Sequence, residues 1–571
     1  MSSLRRRPKL SAMQNPWRAA LIGAAAGALV TIPGLGSGTL WDNSETAYGE
    51  VAREILLTHD WVVMHFNGAP WFVQPPLYFW IAAVCAKMFG IGTFALRLPS
   101  ALATIAMGGM TGYAVTRQAG FRAGSYAAVI LSTCLMQAIV GRLAIMDALL
   151  DLAIALTIFW WFRAIQTGRD RYFIYGWVAA AFGFLAKGPV APIVSLLVIL
   201  PYFAWESHAS RAHWPSWRAW LGGVVIFAAI VAPWLGALAA RTGLGSLAQL
   251  IGHYTFGRYT GTIENQSGPF WYYLPVVVLG FFPWIAFLPS AVAFAAGAVR
   301  VRPTDEGQRN AQQMMRLAIV WSVVPLLFFS CARTKLPNYI ALEFPALAVL
   351  AALYIDDAVE LARTHALRFS AAAVPVTMLL LGVAIEIFSR ENRLTGDLRG
   401  AATDALYVAA AIAAGSVGAF CLLLTRRRRT AAPYALAASM LVAVTLIAVV
   451  ALPQAEAFKP VPHLASIIER RRHAGDAIAI GDVAGGNALV FYTSPPVYTL
   501  RAPYSPAGVL CTSRRAWLVA RRDADPPPFG RRRRLIAGWG KAVLYLYDGA
   551  RCGSAHRGRV TARTETDARE I

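Results

Sequence analysis

The 571 residues are 57% hydrophobic and only 15% charged, with apolar runs too long and too many for a set of soluble domains, so the chain reads as a polytopic membrane protein. A formal charge of +23 raises the question of nucleic acid. The basic residues, however, fall in short clusters between apolar segments, such as RRRPK near the start and Arg426 to Arg429, a pattern that sets membrane orientation and excludes a nucleic-acid partner. The six cysteines lack CxxC or Cys/His spacing, which excludes structural zinc. Cys511 and Cys552 share the polar tail and could pair where that tail meets an oxidising compartment.

A first span is expected from Trp17 to about Leu35. It is longer than a signal-peptide core and has no small-x-small cleavage site before Trp41, so it is read as retained, with the N-terminus in the cytoplasm. Further spans are expected near 97–118, 121–142, 147–165, 172–186, 190–205, 219–240, 270–299, 316–332, 340–355, 368–388, 405–424 and 431–452, about 13 in all, each near the ~20 residues a bilayer needs. The apolar stretch Pro76–Gly90 is short and contains Lys87. Counted as a span, it would put the arginine-rich loops on the side opposite the N-terminus. Laid in the interface, it leaves them all cytoplasmic. The outer side then receives loop 37–96, the KGP turn at Lys187, loops 241–269 and 333–339, and everything beyond about Leu452. A secondary transporter more often carries its charges near the midplane between repeated halves. No internal repeat is evident.

Loop 37–96 holds Asp42 and Glu45 close to the first span, and a run, ETAYGEVAREILL, whose acids, Arg53 and apolar residues recur at helical spacing. An amphipathic interfacial helix is expected there, with Arg53 as a structural ion-pair partner. An Asn-Gly turn and a Pro-Pro stop follow. Asp147 opens a span at its outer end, where a carboxylate can also serve as a simple cap. Asp151 lies one turn deeper, where a lone charge is costly, so the two are read as facing a polar cavity. Carboxylates converging from different loops suit acid/base work on a hydroxyl or amine. Lys187, Arg258, Arg333 and Lys335 gather cations on the same side. Any one of them could snorkel to lipid headgroups; together they suit a phosphate-bearing ligand. No nucleotide-binding glycine motif occurs in a credible setting.

The tail after Gln454 shows a helix around His463–Arg472 and short β-rich runs, AIAIGD, ALVFYT, AWLVARR and AVLYLYD, so a small α/β domain is expected, with a disordered end after about Ser554. Its basic runs, Arg470–Arg472 and Arg531–Arg534, are read as solvated surface, with contact to anionic lipid or lipopolysaccharide phosphates as the alternative.

In this order, ETAYGEVAREIL, NG…QPPLYFW, ALRLPSALA, GRLAIMDALLDL, FLAKGPV, His253-x4-Arg258, GPFWYYL, FFPW and RTKLPNYIALEFPALA resemble the aminoarabinose transferase and protein mannosyltransferase-like group of GT-C glycosyltransferases. The resemblance is good over roughly residues 17 to 360. It implies an all-α polytopic membrane fold (GT-C fold) over 1–453, with interfacial helices in loop 37–96 and an extracytoplasmic α/β domain over 454–571. It also implies transfer of a sugar from a polyprenyl phosphate to an envelope acceptor (lipid A, lipopolysaccharide, another glycan or a protein) at the outer face of a bacterial inner membrane. Carried over residue by residue, Asp147 takes the family's second acidic position and Tyr48 the tyrosine after the first. Lys187 takes the KGP lysine, Arg258 the loop arginine, Tyr339 the KLPxY tyrosine and His253 the metal-site histidine. Lys335 joins the phosphate-binding set.

Two departures matter. The family's first Asp falls at Ser44, leaving Asp42 or Glu45 to act in its place. Its Glu-Lys before the prolines becomes Val73-Gln74, which removes the carboxylate partner that a divalent metal on His253 would need. A non-catalytic lipid-phosphate-binding member and a lipid or solute transporter are the competing readings.

Overall fold

The computed structural model describes residues 15–41, 44–209, 212–261, 266–391, 396–456, 459–481 and, with short omissions, 483–549. It divides into two compact units. The first holds the chain up to Gly36, Phe72–Tyr78 and Arg97–Ala451; the second holds Ser37–Trp71, Phe79–Leu96 and the tail from Leu452.

The first unit is a helical membrane domain. Among the described residues eight helices are long and apolar enough to cross a bilayer: Asp147–Thr167, Val190–His208, Trp217–Thr242, Glu306–Cys331, Pro337–Glu360, His365–Ala384, Thr403–Leu424 and Arg429–Gln454. A ninth arises if Phe270–Gly280 and Trp284–Ala298, bent by 105° at their junction, count together. The four other expected spans are helical but fall short of that standard, each for a visible reason. Pro16–Thr31 has only 16 residues. Thr93–Ala119 is diluted by Gly, Ser and Thr. The helix from Phe121 stops at Thr133 and resumes at Leu135, and Asp170–Lys187 carries three charges in 18 residues.

Small residues let these less apolar helices approach closely. A Cβ on Gly23 would fall 2.3 Å from the Gly108 carbonyl oxygen, and one on Gly223 would fall 2.0 Å from the Trp177 ring. Trp177 belongs to an aromatic stack with Trp161, Phe173 and Trp220, and the indole of buried Trp161 donates to the Phe173 carbonyl at 3.0 Å. Exposed Trp214 and Trp217 lie beside it in sequence, after His213, a composition that suits a membrane interface.

A buried polar chain joins the ends of four helices. Gln118 and Gln166 exchange amide hydrogen bonds of 3.1 and 3.0 Å. Gln166 then donates to Gln313 at 2.7 Å, and Gln313 to Glu206 at 2.8 Å. Glu206, fully buried, is paired with Arg316 at 2.9 Å. Ion pairs of this kind add little net stability but are costly to break singly. Arg316→Met should therefore lower stability by about 3–5 kcal/mol by stranding the Glu206 charge, and adding Glu206→Gln should recover much of it. Thermal unfolding of the purified protein in detergent checks both.

The second unit joins loop 37–96 to the tail. The helix expected from ETAYGEVAREILL is present as Ser44–Thr58, and it packs on helix Gly486–Tyr492. Arg53 explains the docking. Its guanidinium donates to the carbonyls of Val490, Phe491 and Thr493 at 3.2–3.4 Å, the negative end of that helix, and pairs with Glu50 at 2.6 Å. The Asn-Gly turn is a two-residue hairpin joining β1 (His65–Phe66) to β2 (Ala69–Pro70), with φ of 54° at Asn67 and 77° at Gly68, as a type I′ turn requires. Asn67 also exchanges two hydrogen bonds, 2.8 and 2.9 Å, with the Val497 backbone.

The tail forms a five-stranded mixed sheet from β3 (Ala477–Gly481), β4 (Val497–Leu500), β5 (Ala516–Arg521), β6 (Arg532–Trp539) and β7 (Ala542–Asp548), in the order β4-β3-β5-β7-β6. Strands β3, β4 and β5 are parallel, and β7 runs antiparallel to β5 and β6. Helix Pro460–Arg471 covers one face. The run ALVFYT, expected as a strand, is instead the end of helix Gly486–Tyr492, because parallel neighbours β3 and β4 need a crossover and this segment supplies it. Strand β6 was not foreseen; its arginines mask the alternation of an edge strand.

Burial outweighs Arg53 at Glu50 and pushes its carboxyl from an ordinary 4.5 up to about 7. The folded state thus holds this proton where the unfolded chain releases it. Stability from this group is full below about pH 4.5 and is lost as pH rises to about 7, roughly 3 kcal/mol in total. A Glu50→Gln variant should lack this decline when melting temperatures are compared across that window.

Candidate functional site

Three segments of the membrane unit converge on one carboxylate. Asp147 is the first residue of helix Asp147–Thr167. Lys187 is the last residue of helix Asp170–Lys187, where Gly188, at φ 70°, turns the chain at the KGP motif. Asn338 stands in the short 3-10 segment Pro337–Glu343. The Lys187 ammonium donates to Asp147 Oδ1 at 2.6 Å, and the Asn338 amide donates to the same oxygen at 2.8 Å. Lys187 Nζ also lies 4.8 Å from the centre of the Tyr339 ring, a cation–π arrangement. Asp147 is only 4% exposed, so these donors replace the water its carboxylate has lost.

The pair opens on a cavity of about 300 Å³ whose walls are mostly apolar, including Leu150, Ile193, Phe329 and Leu342. Asp151, one turn beyond Asp147, lines it as well, and its Oδ2 is buried with no hydrogen-bond partner among the described residues. Gln74 completes the polar lining from the segment before the Pro-Pro stop. Another wall is the loop after the π-helical turn Ala248–Phe256. Tyr259 stacks on Phe328 at 4.9 Å, and the loop is clipped to the strand-like run 333–335. Arg333 N donates to Tyr259 O at 3.1 Å, Thr334 Oγ1 to Gly261 O at 2.8 Å, and Lys335 N to Gln266 O at 2.9 Å.

Of the residues singled out in the sequence, Asp147, Lys187 and Tyr339 thus meet at one cavity. Lys335 does not face it. The Lys335 ammonium caps helix Glu306–Cys331 by donating to the carbonyls of Ser330, at 2.8 Å, and Ala332, and burial lowers its pKa from the ordinary lysine value. Glu45 and Tyr48 belong to the second unit. There Glu45 accepts from the Trp41 amide at 2.7 Å, and Tyr48 packs edge-on against Trp71 and Phe79. Asp42 and the side chains of His253 and Arg258 lie outside the described residues, although Tyr259 lines the cavity right after Arg258. No group of three His, Cys, Asp or Glu side chains is placed to hold a metal among the described residues. Asn338 was missed. Its signal was its place in the KLPNY run, next to a tyrosine already chosen. Gln74 was noted only as a departure from the family.

Residues 73–236 match the dolichyl-phosphate-mannose-protein mannosyltransferase family. The undecaprenyl phosphate-alpha-4-amino-4-deoxy-L-arabinose arabinosyl transferase of Edwardsiella ictaluri is 30% identical over 348 residues, 57% of either chain. That of Pseudomonas aeruginosa is 31% identical over 371 residues, 62% of either. The chain thus spans about three fifths of the length of these curated relatives. The GT-C fold extends further. The crystal structure of ArnT from Cupriavidus metallidurans bound to undecaprenyl phosphate superposes with a TM-score of 0.77 at 21% identity, covering 95% of this chain and 99% of that one. Its apo form gives 0.74 at 20% identity with the same coverage. The expected all-α polytopic GT-C architecture with a small α/β tail is therefore the one found.

Removing the Thr334 clip should loosen the Tyr259 loop without unfolding the bundle. Thr334→Val is expected to forfeit about 0.5–1.5 kcal/mol, read as severalfold faster amide exchange over 257–261 with unchanged exchange in helix Asp147–Thr167.

Proposed function

We propose that this protein is an integral membrane glycosyltransferase. It takes a sugar from a polyprenyl-phosphate donor and moves it to an envelope acceptor at the outer face of a bacterial inner membrane. The observation that carries this reading is the Asp147 carboxylate held by Lys187 and Asn338 at the wall of an otherwise apolar cavity. The named activities of the relatives support it. The N-terminus is assigned to the cytoplasm, 1–453 to the transferase portion, and 454–571 to an extracytoplasmic α/β region.

The chemistry follows from the charges. An acceptor O–H or N–H attacks the anomeric carbon, a new glycosidic bond forms, and the bond from that carbon to the phosphate oxygen breaks. Asp147 takes the acceptor's proton. Lys187 is already beside the carboxylate and can shift its ammonium to the leaving phosphate, whose growing charge it stabilises better in an apolar, water-poor cavity than in water. Arg258, following the family, joins Lys187 on that phosphate; Tyr48 and Tyr339 bind substrate. Asp42 and Glu45 remain the two choices for the second acid, and Asp151 is the further carboxylate next to Asp147. Lys335, spent on helix carbonyls, supports the neighbouring loop. Where the family's carboxylate ligand falls, Val73 has no side-chain donor atom and the neighbouring Gln74 offers only a neutral amide, a poor match for a divalent ion.

Asp147→Asn should cut transfer at least 10²-fold, the usual scale for a lost general base, with membrane insertion intact. Lys187→Met should weaken donor use more than Lys187→Arg. Mass spectrometry of envelope glycolipids and glycoproteins, from cells with and without each variant, reads both outcomes. Normal sugar transfer by a correctly inserted Asp147→Asn protein would overturn the assignment.

A further inference from the structure

The sheet of the tail brings separate basic runs to one end. Strands β3, β5 and β6 begin there and β7 finishes there, since Ala477 pairs with Ala516, Ala516 with Tyr547, and Asp548 with Arg532. Helix Pro460–Arg471 ends at the same place: Arg515 Nη2 lies 3.5 Å from the Arg471 carbonyl oxygen, and Arg515 Nε lies 3.6 Å from Asp476 Oδ2, just before β3. Arginines 470, 471, 472, 514, 515, 531, 532 and 534 are thus gathered at one end, where the acids among the described residues are Glu469, Asp476 and Asp548.

Those three acids are already taken. Glu469 pairs with Arg472, Asp476 with Arg515, and Asp548 with Arg534. Arg531 is buried and donates to the carbonyls of Leu510 and Arg514. This second contact holds the start of β6 against the start of β5. Arg470, Arg471, Arg514 and Arg532 remain exposed, with no acidic partner among the described residues. Four unpaired guanidiniums repel one another, and a fold that assembles them from three distant stretches gains nothing internally from doing so.

We infer that this end of the sheet docks on the anionic headgroups of the bilayer that holds the protein. The span Arg429–Gln454 and helix Pro460–Arg471 are separated by five residues, so the domain is tethered at a lipid surface, and guanidiniums grip phosphates through paired donors. A juxtamembrane basic cluster gains attraction from each residue near an anionic surface, and salt removes it. This inference requires only membrane insertion and is independent of the proposed transfer reaction.

The test uses the full chain in nanodiscs of zwitterionic lipid alone, or with a third of the lipid anionic, and reads amide exchange over 470–476, 514–516 and 531–533. Exchange on the order of tenfold slower in the anionic discs, abolished by 0.5 M salt and absent in an Arg470→Gln, Arg471→Gln, Arg514→Gln, Arg532→Gln variant, is the expected result. Exchange in β7 serves as the folding control. Equal exchange in the two discs would overturn the inference. So would protection by soluble inositol hexaphosphate in zwitterionic discs with none from anionic lipid, which would make the ligand a soluble polyanion.

Discussion

The salt bridge between Asp147 and Lys187 constrains everything around it. Neither charge is stable in an apolar cavity without the other, so the helix that starts at Asp147, the helix that ends at Lys187 and the segment that supplies Asn338 must arrive together. Two of them carry a local reason for turning there. Gly188 turns the chain after Lys187, and Pro337 begins the 3-10 segment before Asn338. Under the proposed function, a phosphate would offer Lys187 an alternative anion to Asp147.

Charge is handled differently elsewhere in the membrane unit. The Gln118–Gln166–Gln313–Glu206–Arg316 chain has most of its donors matched to acceptors, which suits a joint among helix ends. The cavity, by contrast, leaves Asp151 Oδ2 without a partner among the described residues. Unsatisfied polar groups are expensive to bury, and they concentrate where a ligand completes them.

The architecture was legible because membrane spans are written as long apolar runs and charge bias orders the loops. Asp147, Lys187 and Tyr339 were legible because each sits in a motif whose order along the chain is distinctive. Lys335, from the same motif, turns its ammonium onto helix carbonyls. Sequence shows a cation at a span end but not whether it turns to the cavity or back onto its own helix carbonyls, a choice made by local geometry. Asn338 was overlooked because a neutral amide carries no signal of its own; only its distance to Asp147 reveals it. ALVFYT was read as a strand because a short apolar run looks the same in helix and strand, and only the parallel pairing of β3 with β4 decides.

The clasp of Arg53 on the carbonyls of residues 490–493 has a consequence for how the protein is made. The first loop belongs to a unit whose other half is encoded nearly four hundred residues later. At ordinary elongation rates of 5–20 residues per second, the ribosome needs roughly 20–80 s to bridge that interval. Helix Ser44–Thr58, with its buried acids, must wait through the insertion of the whole bundle before its partner emerges. Truncation late in the chain therefore orphans a segment near the beginning.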